Sequence, residues 1–140
     1  MPSNTITDTV TAFYAATRAM DVDALVATFA PDAVHEDPVG TPPYHGHAGV
    51  RSFFASVTAA FATFGLAEDF VTVAGDTAAV KWTARGVARS GRAVTFEGID
   101  VIEAGADGRI QHLRAYWDMD AMVAQLQGAA TTPSVVRDRE

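Results

Sequence analysis

Two aspartates in this sequence stand where a carboxylate is conspicuous. Asp37 follows an apolar run and closes His35-Glu36-Asp37, directly before a loop that carries Pro38, Gly40, Pro42 and Pro43. A strand end that gives way to such a loop commonly delivers a side chain to the mouth of a pocket. The same Asp37-Pro38 pair can also open an ordinary Asp-Pro turn, and both readings stand. Glu36, its neighbour on an extended chain, points the opposite way. Asp100 lies in a strand predicted over residues 93–103, on a face shared with Phe96, Gly98 and Ile102. An ionised carboxylate without a partner costs several kcal/mol in apolar surroundings. Such a group keeps its proton through a raised pKa and can donate a hydrogen bond at neutral pH. The alternative is an ion pair with His112 or Arg114 on the neighbouring strand.

The other candidate ligands form no known pattern. His35 and Asp37 share a strand face, which allows a metal-linked arrangement, but His35, His45 and His47 fit no zinc spacing. His45 and His47 read as loop and helix-start residues. The chain has no cysteine, so disulfides, thiolate metal sites and a cysteine nucleophile are excluded. No Gly-rich turn leads into a helix as nucleotide sites require. Neither a metal nor a cofactor is expected. Ten basic against 17 acidic side chains give a net charge of −7, which argues against nucleic acid and against an anionic membrane. No apolar run approaches the ~18 residues of a membrane span, and no signal-peptide pattern opens the chain. The expectation is a cytoplasmic protein.

The elements that must position these residues follow from hydrophobic periodicity. Ile6, Val10, Phe13, Tyr14 and Thr17 recur at helical spacing after a cap at Ser3 or Thr5. A short second helix starts at Asp21, with Val22, Leu25, Val26 and Phe29 on one face, and ends at Pro31-Asp32. Residues 33–37 form a strand and 38–46 a loop; a third helix runs from His47 to Phe61 with the stripe Val50, Phe53, Phe54, Val57, Phe61. The period then changes to two. Strands are predicted over 66–74, 78–88, 93–103 and 109–117, with turns at Gly75-Asp76, Ser90-Gly91 and 104–108, and a short helix over 119–127. In 78–88 the alternation puts Val80, Trp82 and Ala84 on one face and Lys81, Thr83 and Arg85 on the other. Residues 1–127 are expected to form one α+β domain, three helices on a strongly curved, mostly antiparallel sheet, and 128–140 a mobile tail. A curved sheet closed by helices leaves a concave interior suited to a small ligand.

"DAVHEDPVGTPPYHG" followed by "GVRSFF", and later "EGIDVIEAGADGRIQHLRAYW", resembles the bacterial ketosteroid isomerase family of the NTF2-like, SnoaL-like group. The similarity runs almost without gaps from about Thr11 to Met122, and the pairing of those two segments is its most specific part. The resemblance implies a cone-shaped fold with a deep apolar cavity, usually dimeric, acting on a hydrophobic and possibly steroid ketone without a cofactor. It assigns Asp37 as the base that moves a proton through a dienolate, Asp100 as a protonated oxyanion donor, and Trp117 as a cavity aromatic whose N–H reaches the base. Phe13, Phe29, Phe54, Phe96 and Leu113 would join Trp117 around the substrate. Glu36 and the histidines become bystanders.

The sequence departs from the family at three positions. Its oxyanion tyrosine falls on Phe13, and two supporting tyrosines fall on Phe29 and Phe54. Phenylalanine cannot donate a hydrogen bond, and losing one oxyanion donor typically costs ~10²–10³ in rate. Losing all three hydroxyls strands no buried partner and leaves a dry wall. Tyr14 is adjacent, but one helical step turns it by about 100°, so it would reach the site only by a rotation of the helix. An ungapped match also turns Lys81, Thr83 and Arg85 into the cavity, against the alternation. An inward Arg85 between Asp37 and Asp100 would resemble the Asp-Arg-Asp site of limonene-type epoxide hydrolases. Polyketide cyclisation, or binding of a steroid-like molecule without turnover, are the further readings.

Overall fold

The computed structural model describes residues 5–128. Short polar side chains start its helices. Thr5 accepts the Asp8 N–H at the head of α1 (Ile6–Ala19), and Asp21 accepts the Ala24 N–H at the head of α2 (Val22–Ala27). Between them Met20 adopts a left-handed conformation, φ 53°, which ends α1 and turns the chain into α2. Then come β1 (Phe29–Glu36), β2 (Tyr44–His45), α3 (Gly46–Ala60), β3 (Phe61–Ala74), β4 (Thr77–Ala88), β5 (Ala93–Ala104), β6 (Ile110–Trp117) and α4 (Met119–Leu126).

The strands form one curved sheet in the order β2-β1-β6-β5-β4-β3, antiparallel throughout except where β1 runs parallel to β6. The main core lies between the helices and the inner face of this sheet. Val10, Phe13 and Tyr14 of α1, Leu25 and Val26 of α2, and Val50 and Phe54 of α3 meet Val80, Trp82, Ile102 and Leu113 of the strands. The period-two reading of β4 holds: Val80, Trp82 and Ala84 are buried, Arg85 is exposed, and Lys81 and Thr83 lie on the outer face with it. The ungapped match that turned Lys81, Thr83 and Arg85 inward is therefore overturned.

Several boundaries differ from the sequence reading for local reasons. Phe29, placed on the α2 stripe, is instead the first residue of β1, because the helix stops at Thr28. Pro31 and Asp32 do not end a helix; they sit inside β1. The β1–β6 register shifts between Phe29 and Val34, so the missing N–H of Pro31 falls where the ladder is interrupted. Phe61 belongs to the helical stripe by spacing, yet it is already extended, with φ −117° and ψ 137°. There α3 passes straight into β3, which starts five residues before the predicted strand. Ser3 and residues 129–140 of the expected tail lie outside the described residues. Among the described residues no helix is long and apolar enough to cross a membrane.

Candidate active site

The curved sheet and the helices enclose a cavity of about 520 Å³. Phe13 and Thr17 of α1, Phe53 and Phe54 of α3, Leu66 of β3, Trp82 of β4 and Phe96 of β5 line it, with Met119, Met122 and Leu126 of α4 along one side. Into this apolar space project two carboxylates, Asp37 and Asp100.

Two backbone anchors fix Asp37. On one side Glu36 is in parallel register with Arg114 of β6; on the other the Val39 N–H donates to the Ala115 carbonyl at 2.8 Å. The chain is thus pinned to β6 before and after Asp37, although the residue itself opens the Pro/Gly loop. Each of its oxygens accepts a hydrogen bond. The Trp117 indole N–H donates to Oδ1 at 2.6 Å, and His35 Nε2 lies 2.9 Å from Oδ2. A carboxylate can only accept, so Nε2 of His35 carries the proton. His35 is fully buried, stacked 5.5 Å from Phe54 and edge-on to Phe53 at 4.8 Å. The bystander reading of this histidine is overturned. The signal was in the sequence, since residues i and i+2 of a strand share a face.

Asp100 has a different setting. It sits mid-strand on β5, 2% exposed, and its Oδ2 accepts the Tyr14 hydroxyl at 2.5 Å. Burial, and then the negative charge of Asp37, push its pKa up to about 7, against the lowering effect of the Tyr14 hydroxyl and of the nearby Trp82 indole. Burial and the same carboxylate push the Tyr14 hydroxyl far above its ordinary value, so it stays a donor. The alternative partners of Asp100 are engaged elsewhere. His112 Nε2 meets Glu36 Oε2 at 2.6 Å and Arg114 donates to Glu103 at 2.9 Å, both on the opposite face of the sheet.

No rotation of α1 is needed for Tyr14. The buried face of the helix is wide enough to hold both Phe13 and Tyr14, whose rings meet edge-on at 4.9 Å. Phe13 lines the cavity, whereas Tyr14 lies behind Asp100 and does not. Phe29 and Leu113, expected around the substrate, are fully buried beneath the lining and do not reach the cavity. Phe13, Phe29 and Phe54 pack on one another at 5.9–6.5 Å, which is the dry wall that three missing hydroxyls imply. Arg85 borders a separate, shallower groove with Arg18 and Thr83, so an Asp-Arg-Asp site is not formed. No group of three or more His, Asp and Glu side chains that could hold a metal occurs among the described residues.

Comparison with known proteins adds three findings. A family model described as SnoaL-like domain matches residues 10–113. The steroid Delta-isomerase of Nocardioides simplex is 33% identical over 108 residues, covering 71% of this chain and 79% of that protein. Among solved structures, the epoxide hydrolase/cyclase-like enzyme SalBIII, described in pyran ring formation in the polyether salinomycin, superposes with a TM-score of 0.74 at 27% identity. That match covers 82% of this chain and 92% of SalBIII. A Catenulispora acidiphila protein with a ketosteroid isomerase-like fold reaches a TM-score of 0.77 at 20% identity, covering 90% and 98% of the two chains, and bears on the fold alone.

Proposed function

We propose that this chain, which belongs to the SnoaL-like domain family, is a cofactor-independent isomerase that moves a proton on a hydrophobic, polycyclic ketone. Asp37 takes the proton from the carbon beside the ketone. The C–H electron pair becomes the new C=C bond and the carbonyl pair moves onto oxygen, giving a dienolate. Asp100, still protonated, donates a hydrogen bond to that oxyanion. Asp37 then returns the proton to the far carbon of the dienolate, and the conjugated enone results.

The observation that carries this reading is the contrast between the carboxylates in one apolar cavity. Asp100 is buried, with a pKa pushed up to about 7, while Asp37 accepts two N–H donors. A carboxyl that keeps its proton suits the acid role, and a second that only accepts hydrogen bonds suits the base. The Tyr14 hydroxyl occupies one oxygen of Asp100 and leaves the other for substrate. The row Phe70–Lys81–Ile99–Tyr116 crosses the outer face of the sheet with Phe70, Ile99 and Tyr116 exposed, which supports the expected homodimer.

The test is a 5-ene-3-ketosteroid followed by the absorbance of the conjugated enone. The wild-type chain should convert it, and Asp37→Asn should lose about 10³-fold in kcat, within the range of general base catalysis. Conversion no faster than the Asp37→Asn level would overturn the isomerase reading.

The likeness to SalBIII favours a second reaction on the same groups. Asp100 would give its proton to an epoxide oxygen as the C–O bond breaks. Asp37 would take the proton from a hydroxyl of the same molecule as it closes the ring. Ring closure of a hydrophobic hydroxy-epoxide, without turnover of the ketosteroid, selects this reading. The hydrolase version with an arginine between the carboxylates is disfavoured by the exposed Arg85.

A further inference from the structure

The last helix, α4, is fastened at both ends. Near its C-terminus the Gln125 amide takes both main-chain groups of Thr95. Its Oε1 accepts the Thr95 N–H at 2.8 Å and its Nε2 donates to the Thr95 carbonyl at 2.9 Å. Thr95 lies on β5, where β4 supplies Arg85 as its partner on one side. On the other side the β5–β6 ladder reaches only to Gly98, opposite Trp117, where β6 ends. The Gln125 amide therefore stands in for the strand residue that β6 no longer provides. It satisfies two main-chain groups that would otherwise need water.

The other end of α4 is fastened to the site itself. Trp117, which donates to Asp37, is followed by Asp118, and Asp118 caps α4 by accepting the Ala121 N–H at 3.0 Å. Between these fastenings no residue of α4 is fully buried. Short helices draw their stability from packing, and α4 has little of it, so the clamp at Gln125 matters. The helix packs on β5, and Met119, Met122 and Leu126, at helical spacing, turn one apolar face to the cavity. Met122 and Leu126 also pack against a small cluster of Phe61, Ala88 and Val94. Asp100 lies five residues along β5 from Thr95, roughly 17 Å on an antiparallel strand before curvature and side chains are subtracted. Met122 and Leu126 thus lie towards the end of the cavity remote from Asp100. The family match stops at residue 113, so α4 lies outside it.

We infer that α4 is a specificity element of the site: Gln125 is a positioning residue that holds Met122 and Leu126 against the far rings of a fused polycyclic ketone. The inference rests on the isomerase reading proposed above. Its ligand class is an apolar skeleton long enough to touch Asp100 at one end and α4 at the other, which a one- or two-ring ketone is not. Methionine and leucine offer adaptable apolar contact and no hydrogen-bond donor, so the far end of the preferred ligand is apolar. The contact is made far from the reacting carbons and is the same in the ground and transition states. It therefore acts on KM and leaves kcat alone.

The test compares a 5-ene-3-ketosteroid with a β,γ-unsaturated bicyclic ketone, in wild type and in Gln125→Leu. Losing the clamp should raise KM for the steroid by about 10-fold, the scale of one to two neutral hydrogen bonds, with kcat nearly unchanged. KM for the bicyclic ketone should stay as it is. A steroid KM at the wild-type value in the folded variant would overturn the inference. So would an equal rise for both ketones, or a fall in kcat as large as the rise in KM. A second measurement needs no variant. The chain has four methionines, and 13C-methyl labelling follows each of them. On titration of the wild-type chain with a conjugated 4-ene-3-ketosteroid, the Met122 methyl signal should shift. Steroid binding that leaves this signal unmoved would overturn the inference. A steroid that shifts Met122 and binds more weakly to Gln125→Leu, yet is not turned over, would sink the isomerase reading and keep the role of α4 in ligand selection. Neither binding nor turnover by the wild-type chain would overturn the two together.

Discussion

Asp37 and Asp100 are the same side chain facing one cavity, yet almost nothing about their surroundings is alike. Asp37 follows the end of β1 at the start of a loop, 14% of its side chain exposed, with an N–H donor on each oxygen. Asp100 sits in mid-strand with one hydroxyl donor and almost no contact with water. Burial holds the proton on Asp100, whereas both oxygens of Asp37 are already taken by N–H donors. On the proposed mechanism, what separates the base from the acid is the number of donors and the access to water. The residue type and its local motif do not separate them.

The largest expected effect removes the titration of Asp100 altogether. In Asp100→Asn the amide oxygen still accepts the Tyr14 hydroxyl and the amide N–H still faces the cavity, but nothing ionises. Wild-type activity should fall as pH rises through about 7, and the variant, less active at pH 6, should show no such fall. Stability follows the same linkage. The carboxyl titrates at 3.8 when unfolded and about 7 when folded, so the folded chain binds the extra proton between these values. Folding stability then declines as pH rises across that window, by on the order of 4 kcal/mol once pH exceeds 7. Asp100→Asn should therefore melt higher than wild type at pH 8 and gain nothing at pH 4. An equal melting difference at both pH values would sink the linkage.

A smaller effect sharpens the same contrast. Tyr14→Phe leaves Oδ2 of Asp100 without its donor in an apolar setting, which typically destabilises by ~1–3 kcal/mol. Because the Tyr14 donor lowers the pKa of Asp100, its loss should move the alkaline fall in activity to higher pH. Urea unfolding measures the first and a pH–rate profile the second. A shift to lower pH would mean that Tyr14 does not act on Asp100.

What the sequence disclosed about these two sites follows from the range of the forces. Period-two and period-3.6 patterns are local, and they placed α1, α3 and the alternation of β4 correctly. They outweighed the ungapped match at Arg85, because an arginine turned inward would bury a charge beside Trp82 and Val80. The resemblance supplied the pairing of Asp37 with Asp100, which no local pattern contains. Boundaries failed where tertiary structure overrides the local signal, at Phe29, where β1 takes over from the helix, and at Pro31, where a register shift absorbs the proline. The Tyr14–Asp100 contact spans 86 residues, and only the packing of α1 on the sheet decides that Tyr14 faces it. The seating of the Trp82 ring on Gly98 is a matter of side-chain direction, and Gly98 reads as an ordinary strand glycine.

The smallest expected effect tests the other side of the comparison, the donors on Asp37. His35 holds Oδ2 through Nε2, while its Nδ1, packed among Phe29, Phe53 and Phe54, is buried with no partner among the described residues. His35→Leu removes the useful hydrogen bond and the unsatisfied nitrogen together. These contributions oppose one another, each on the order of 1 kcal/mol, so net stability should change little. Activity should not be so balanced, because the carboxylate is now held by Trp117 alone and can turn away from its target. We expect kcat to fall by about 10-fold, the loss of roughly one hydrogen bond's worth of positioning, with KM nearly unchanged. His35→Gln, whose amide N–H can reach towards the same oxygen, should recover part of the loss. A purely structural role predicts the reverse, a lower melting temperature with an unaltered kcat.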